Sequence, residues 1–266
     1  MPFIQLKNAK YYYEEHGSGE DTIVLSHGLL WSGHLFHKQV DFFKSKYRVI
    51  IYDHRGQGKT EVTSDGYDMD TLYEDAVELI EKLSDKPVIF GGLSMGGFIG
   101  MRLAARRPDL IKKLILMETS CEPEPFENVG KYKTLNTVVK YIGIWAVVPN
   151  VMKIMFGQKF LTDSNRSEER KYWIQQLRNN NRTGITRAVM GVVERKSVEG
   201  EITSIKCPTL ILVGDQDVAT KPEKAKKIHS LIHNSKLIIV SGGGHSSSIE
   251  EPIAYNQAIK GFLLGI

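Results

Sequence analysis

The sequence predicts an α/β fold, a mostly parallel sheet of eight strands flanked by helices, with a helical cap inserted after the sixth strand. Three observations carry this. Short apolar runs alternate with helical patterns, the arrangement that builds a parallel sheet covered on both faces. Three of those runs end on residues able to do chemistry, and open parallel sheets gather ligands at their strand ends. The stretch from Cys121 to Glu199 is too long for a connection and lacks strand alternation, so it reads as a unit of helices. At 266 residues and 41% hydrophobic, the chain has the material for one large core domain, residues 1–120 with 200–266, beneath a cap of residues 121–199.

In order, strands are expected near Ile4 to Leu6, Tyr11 to Glu14, Thr22 to Leu25, Arg48 to Tyr52, Val88 to Phe90, Leu114 to Met117, Thr209 to Val213 and Leu237 to Val240. Helices fill most intervals. From Asp70 to Lys82 and just beyond, Leu72, Ala76, Leu79, Ile80 and Leu83 form one apolar stripe, and Ile253 to Leu264 repeats the pattern. Within the cap, helical runs are expected near Leu135 to Phe156, Glu168 to Asn180 and Thr183 to Glu194. There is no internal repeat. The longest apolar run, Tyr141 to Val148, stops at Pro149 and is too short to span a bilayer, so it is expected to line a pocket, with Trp145 as a substrate contact.

The strand ending at Phe90 runs into Gly92-Leu93-Ser94-Met95-Gly96-Gly97, after which Met95, Ile99, Leu103 and Ala104 share one helical face. Glycines two before and two after a serine permit a turn tight enough to raise the hydroxyl above the sheet edge, the nucleophile elbow of a hydrolase. A free hydroxyl is a weak nucleophile at neutral pH, so the serine needs a base, and the base an orienting acid. Both follow downstream: Gly214-Asp215-Gln216-Asp217 after one strand, and Ser241-Gly242-Gly243-Gly244-His245 after the next. The order Ser94, Asp, His245 is that of α/β-hydrolases.

On these motifs the chain resembles the α/β-hydrolase superfamily over nearly its whole length. Ser26-His27-Gly28-Leu29 resembles the family's His-Gly oxyanion loop, and Asp53-His54-Arg55-Gly56-Gln57-Gly58 resembles its Asp-x-Arg-Gly-x-Gly turn. Within the superfamily it looks most like small capped esterases, 3-oxoadipate enol-lactonases and cofactor-free haloperoxidases. The resemblance implies acyl transfer to Ser94, with His245 as general base and then acid. It selects Asp217 over Asp215 to hold the imidazole, leaving Glu118, just past the sixth strand, as the reserve acid. The backbone N–H groups of Leu29 and Met95 would form the oxyanion hole. It implies a small carboxylic ester or lactone as substrate and no metal or organic cofactor. Cofactor-free peroxidation or carbon–carbon bond cleavage on the same triad, and a slow-turnover ligand receptor, are the alternatives. Dehalogenation is disfavoured, because its nucleophile position would need an aspartate where Ser94 stands. Trp31, with Leu30 and Phe36, is a candidate pocket wall, and His54 and Arg55 are assigned a structural task beside the site.

Other features exclude more than they specify. Cys121 and Cys207 are distant in sequence and suit buried free thiols in a reducing compartment. Met1 to Gly17 carries Lys7, Lys10, Glu14 and Glu15 and lacks the apolar core of a signal peptide, so a cytoplasmic location without stable membrane insertion is expected. His229 and His233 are spaced for one helix face but have no acidic third ligand, and three lysines crowd them. Residues 122–199 hold thirteen Lys and Arg against eight Asp and Glu, an excess that would steer an anion or merely solvate a face. No basic cluster interleaves with aromatics, so nucleic acid is not an expected partner. A homodimer is an assembly the chain allows.

Overall fold

Successive side chains of a strand leave on opposite faces of the sheet, so runs apolar at every position must be covered twice. In the computed structural model, which describes residues 3–266, the runs within Thr22–Ser26, Val88–Leu93 and Thr209–Gly214 are, whereas the run from Leu237 to Val240 lies at the sheet edge and leaves Ile239 exposed. Of the segment Met1 to Gly17 read above, the first two residues lie outside the described residues. The strands are β1 (Phe3–Gln5), β2 (Lys10–His16), β3 (Thr22–Ser26), β4 (Arg48–Tyr52), β5 (Val88–Leu93), β6 (Ile111–Met117), β7 (Thr209–Gly214) and β8 (Ser235–Val240). They form one sheet in the order β1-β2-β4-β3-β5-β6-β7-β8. Pairing is antiparallel where β2 meets β1 and β4, and parallel from there to β8.

Ile23 and Leu25 of β3, Val49 and Ile51 of β4, and Leu210 and Leu212 of β7 enter one buried cluster. Their neighbours Val24, Ile50 and Ile211 enter the other. The core helices that precede the cap are α1 (His37–Phe43), α2 (Met69–Leu83) and α3 (Met95–Arg106). The first cluster is closed by Val40 and Phe43 of α1 and by the cap, the second by Leu72 and Leu79 of α2 and Ile99 and Leu103 of α3. Asp68 starts α2 by accepting from the N–H groups of Asp70 and Thr71 at 3.1 and 3.0 Å, satisfying donors a helix start leaves open.

Between β6 and β7 lie α4 (Phe126–Tyr141), α5 (Val148–Met155), α6 (Gln158–Thr162), α7 (Ser167–Arg178), α8 (Arg182–Val193) and the short α9 (Glu199–Ile202). The run expected to be helical from Leu135 to Phe156 is broken. Gly143 takes φ 121°, outside helical space, and a 3-10 turn over Ile144–Ala146 precedes α5, whose first turn accepts Pro149 because the N–H missing there has no helical partner. After β7 and β8 come α10 (Pro222–Leu231), α11 (Ser247–Glu250) and α12 (Pro252–Leu264). Among the described residues, no helix is long and apolar enough to cross a membrane.

Candidate active site

β5 ends one residue before Ser94, and α3 begins one residue after it. Ser94 is held at φ 52°, ψ −109°, a conformation few non-glycine residues adopt. The flanking glycines make this turn possible by their lack of a side chain. A Cβ on Gly92 would lie 2.1 Å from the carbonyl oxygen of Gly96, and one on Gly96 would lie 2.1 Å from that of Ser26. The serine backbone is anchored on both sides, its N–H donating to Met117 O at 2.8 Å and its carbonyl accepting from Thr119 Oγ1 at 2.9 Å.

His245 follows β8 and Asp217 follows β7. The imidazole Nε2 lies 3.0 Å from Ser94 Oγ, and Nδ1 lies 2.9 Å from Asp217 Oδ2. Asp217 is buried and accepts three further hydrogen bonds, from the N–H groups of Ala219 and Thr220 at 2.8 and 2.9 Å and from Thr220 Oγ1 at 2.8 Å. Burial acts to raise its pKa, but His245 and the Thr220 donors outweigh it and hold the carboxyl below its ordinary value. An ionised Asp217 fixes the proton of His245 on Nδ1 and leaves Nε2 free to accept from Ser94. Asp215 faces away, accepting from Gly242 N at 2.8 Å and Ser241 Oγ at 3.2 Å. Glu118 is fully buried and takes hydrogen bonds from Ser247 Oγ and Tyr255 OH. Burial pushes its carboxyl well above the usual range despite those two donors.

The loop after β3 is tethered by the turn after β4. Gln57 Oε1 accepts the Leu30 N–H at 2.8 Å, Asp53 Oδ1 accepts the Gly33 N–H at 2.7 Å, and His27 Nε2 accepts the His54 N–H at 2.9 Å. His27 Nδ1 in turn donates to Gly28 O at 2.7 Å, so both ring nitrogens have the roles of a neutral imidazole. Burial keeps it neutral, moving its pKa down to about 4. With the Leu30 N–H occupied, the N–H of Leu29 is left unpaired among the described residues, as is that of Met95 at the positive end of α3. His54 and Arg55 stay out of the chemistry. His54 Nε2 pairs with Ser26 Oγ, and Arg55 makes a buried ion pair with Asp75 at 2.8 Å.

A cavity of about 130 Å³ opens over Ser94 and His245, lined by Leu29, Phe98 and side chains of the cap. The two tryptophans expected to contact substrate are not among its lining residues. Trp145 is 62% exposed, because the 3-10 turn directs Ile144 and Val147 inward and leaves the indole outside, its N–H bonded to Ile142 O at 3.2 Å. Trp31 is buried on the far side of Leu30, packed edge-on against Trp173 and Phe156, and faces a separate cavity of about 330 Å³. Sequence reasoning missed Gln57, whose partner Leu30 lies in another segment, Thr220, which bonds Asp217 within the same turn, and the buried pair of Arg195 and Glu124 on the cavity wall.

A nucleophile elbow, an imidazole and a carboxylate at the ends of parallel strands define a hydrolase of the α/β type. Residues 21–252 match the model of the alpha/beta hydrolase fold family, and the chain belongs to that family. It is 26% identical to a protein of Caulobacter sp. (strain K31) named "Putative carbamate hydrolase RutD", over 96% of each chain. It is 25% identical to 3-oxoadipate enol-lactonase 2 of Acinetobacter baylyi, over 90% of this chain and 87% of that one. A thermophilic esterase from Thermogutta terrifontis shares the fold with a TM-score of 0.90, at 24% identity over 97% of this chain and 94% of the other.

Proposed function

We propose that this protein hydrolyses small carboxylic esters or lactones through an acyl-enzyme on Ser94. The observation that carries the reading is the continuous hydrogen-bonded line from Ser94 Oγ through His245 to Asp217, at 3.0 and 2.9 Å, starting from a strained elbow. Ser94 Oγ attacks the carbonyl carbon as His245 Nε2 takes its proton. The tetrahedral oxyanion is met by the N–H groups of Leu29 and Met95, each such donor being worth about 3 kcal/mol in the transition state. Collapse breaks the bond to the leaving oxygen, which takes the proton back from Nε2. Water, deprotonated by the same nitrogen, then attacks the acyl carbon and frees Ser94. Asp217 keeps the imidazole in the required tautomer and stabilises it when charged. The lactonase among the relatives supports an oxygen leaving group, tethered in a lactone and free in an ester.

The test combines a chromogenic ester with an organophosphonate. Native protein should turn over the ester continuously and take one phosphonate per chain. Ser94→Ala should fold normally, because alanine fits the elbow, and lose both. A stoichiometric burst without sustained turnover would indicate a receptor, and labelling that persists in Ser94→Ala would remove Ser94 as nucleophile.

A further inference from the structure

The cavity over Ser94 is walled mainly by apolar side chains, among them Phe98, Val139, Ile144 and Val151. Among its lining residues are one guanidinium, Arg195, and one carboxylate, Glu124. They are bonded to each other. Arg195 Nη1 lies 2.8 Å from Glu124 Oε2, with the two side chains only 4% and 11% exposed. Nη1 also donates to Val192 O at 2.9 Å and Nε to Glu122 O at 3.1 Å, while the guanidinium lies 4.5 Å over the Phe98 ring. The second oxygen of Glu124 accepts from Asn128 Nδ2 at 3.0 Å. A cation beside a reaction cavity would ordinarily attract an anionic substrate. This one is already neutralised.

We propose that Glu124 determines specificity, holding Arg195 in a neutral pair at the cavity wall so that the site takes a neutral ester with an apolar arm and refuses one whose arm ends in a carboxylate. The inference rests on the reading of Ser94 as nucleophile. An incoming carboxylate would have to leave water and then, whether it displaced Glu124 from Nη1 or met Arg195 through Nη2, lie beside the charge of Glu124 in a cavity walled mainly by apolar groups. An alkyl arm meets no such cost, and each methylene withdrawn from water favours it. The cationic excess of the cap is thereby uncoupled from the cavity.

The experiment compares esters of equal length. The acyl pair is p-nitrophenyl hexanoate against mono-p-nitrophenyl adipate, with p-nitrophenyl acetate as its short reference, and the alcohol pair is hexyl acetate against 6-acetoxyhexanoate, with ethyl acetate as its short reference. In native protein the neutral member of the pair that gains rate over its short reference should exceed its carboxylate congener at least about 100-fold in kcat/KM. Carboxylate esters within threefold of their neutral congeners would overturn the substrate class. E124Q, which frees Arg195, should narrow the gap at least tenfold by raising turnover of the carboxylate ester. An unchanged gap in E124Q with stoichiometric phosphonate labelling would overturn the role of Glu124. The double variant E124M/R195M leaves no unpaired charge and should fold whether or not E124Q does. It must keep the neutral preference, and acceptance of the carboxylate ester by it would equally overturn the proposal. Absence of both acetate turnover and phosphonate labelling in native protein would refute the Ser94 reading itself, whereas acetate turnover with the wrong selectivity refutes only this inference.

Discussion

Replacing Gln57 by leucine tests whether the turn after β4 positions the oxyanion donors or merely fills space. Gln57 is 1% exposed, and its Oε1 is the only described acceptor for the Leu30 N–H, at 2.8 Å. Leu30 sits at φ 73°, an unfavourable region for a side chain of its kind, so the bond helps hold a strained residue next to Leu29. Leucine matches the volume but accepts nothing. A buried N–H left without a partner costs about 1 to 3 kcal/mol of stability. Release of the loop would also misdirect the Leu29 N–H, and complete loss of one oxyanion donor costs about 3 kcal/mol, or roughly 100-fold in kcat. The expected result is a kcat lower by about 10- to 100-fold with KM changed less than about threefold, since the donor acts mainly on the transition state. Steady-state kinetics on a chromogenic ester and urea unfolding of the same preparation measure the two effects separately. A variant that unfolds more easily yet keeps its kcat would refute the argument, reducing Gln57 to packing and showing that the loop holds the Leu29 N–H without it.

Asp217→Asn should lower kcat by about four orders of magnitude through a mis-set imidazole tautomer, whereas Asp215→Asn should cost less than about tenfold, and kinetics on the pair would expose a reversed order. Trp145→Ala should leave the ranking of ester substrates unchanged and alter unfolding free energy by no more than about 0.5 kcal/mol, because the ring is mostly in solvent; a changed ranking would return it to the pocket. Burial raises the pKa of Glu250 to about 7, against the donors Gly157, Gly244 and Ser246 that pull it down. Its folded state therefore binds the proton more tightly than the unfolded chain, so the stability it contributes is fully present below about pH 4.5 and is lost as pH rises through 7. The difference in unfolding free energy between native protein and Glu250→Gln should fall across that window and level off above it, and a difference that rises with pH would contradict the assignment.

Much of the core was legible because its signals are local. Most of the strands announced themselves as short apolar runs, and the spacing of Gly92, Ser94 and Gly96 marked the elbow, although the contact that demands Gly96 is with Ser26, far away in sequence. The choice of Asp217 over Asp215 came from the resemblance to the family's Gly-x-x-Asp turn, because two carboxylates two residues apart after one strand are not told apart by the residues alone. The cap was legible as helical but not in its details. Periodicity reports that Ile144, Trp145 and Val147 are apolar, yet the turn at Gly143 decides which of them faces the cavity. Trp31 misled for a related reason: following the oxyanion loop in sequence places it near the site, while Leu30 at positive φ turns the chain so that the indole leaves on the other side. The tethers from Gln57, Asp53 and His54 and the pair of Arg195 with Glu124 join residues 20 to 71 positions apart, and no pattern along one segment encodes them.

Because Ser94, Asp217 and His245 hang from β5, β7 and β8, the spacing of the site is set by the main-chain ladder that runs through Gly92, Leu116, Ile211 and Leu237. Amides in such a ladder exchange with solvent only when the sheet comes apart. The helix α4, which buries Val139 alone, has far less to hold it down. The reacting groups are thus tied to the part of the molecule whose amides should exchange most slowly, and the roof above them to a part with less to hold it, two rates that hydrogen exchange would read separately.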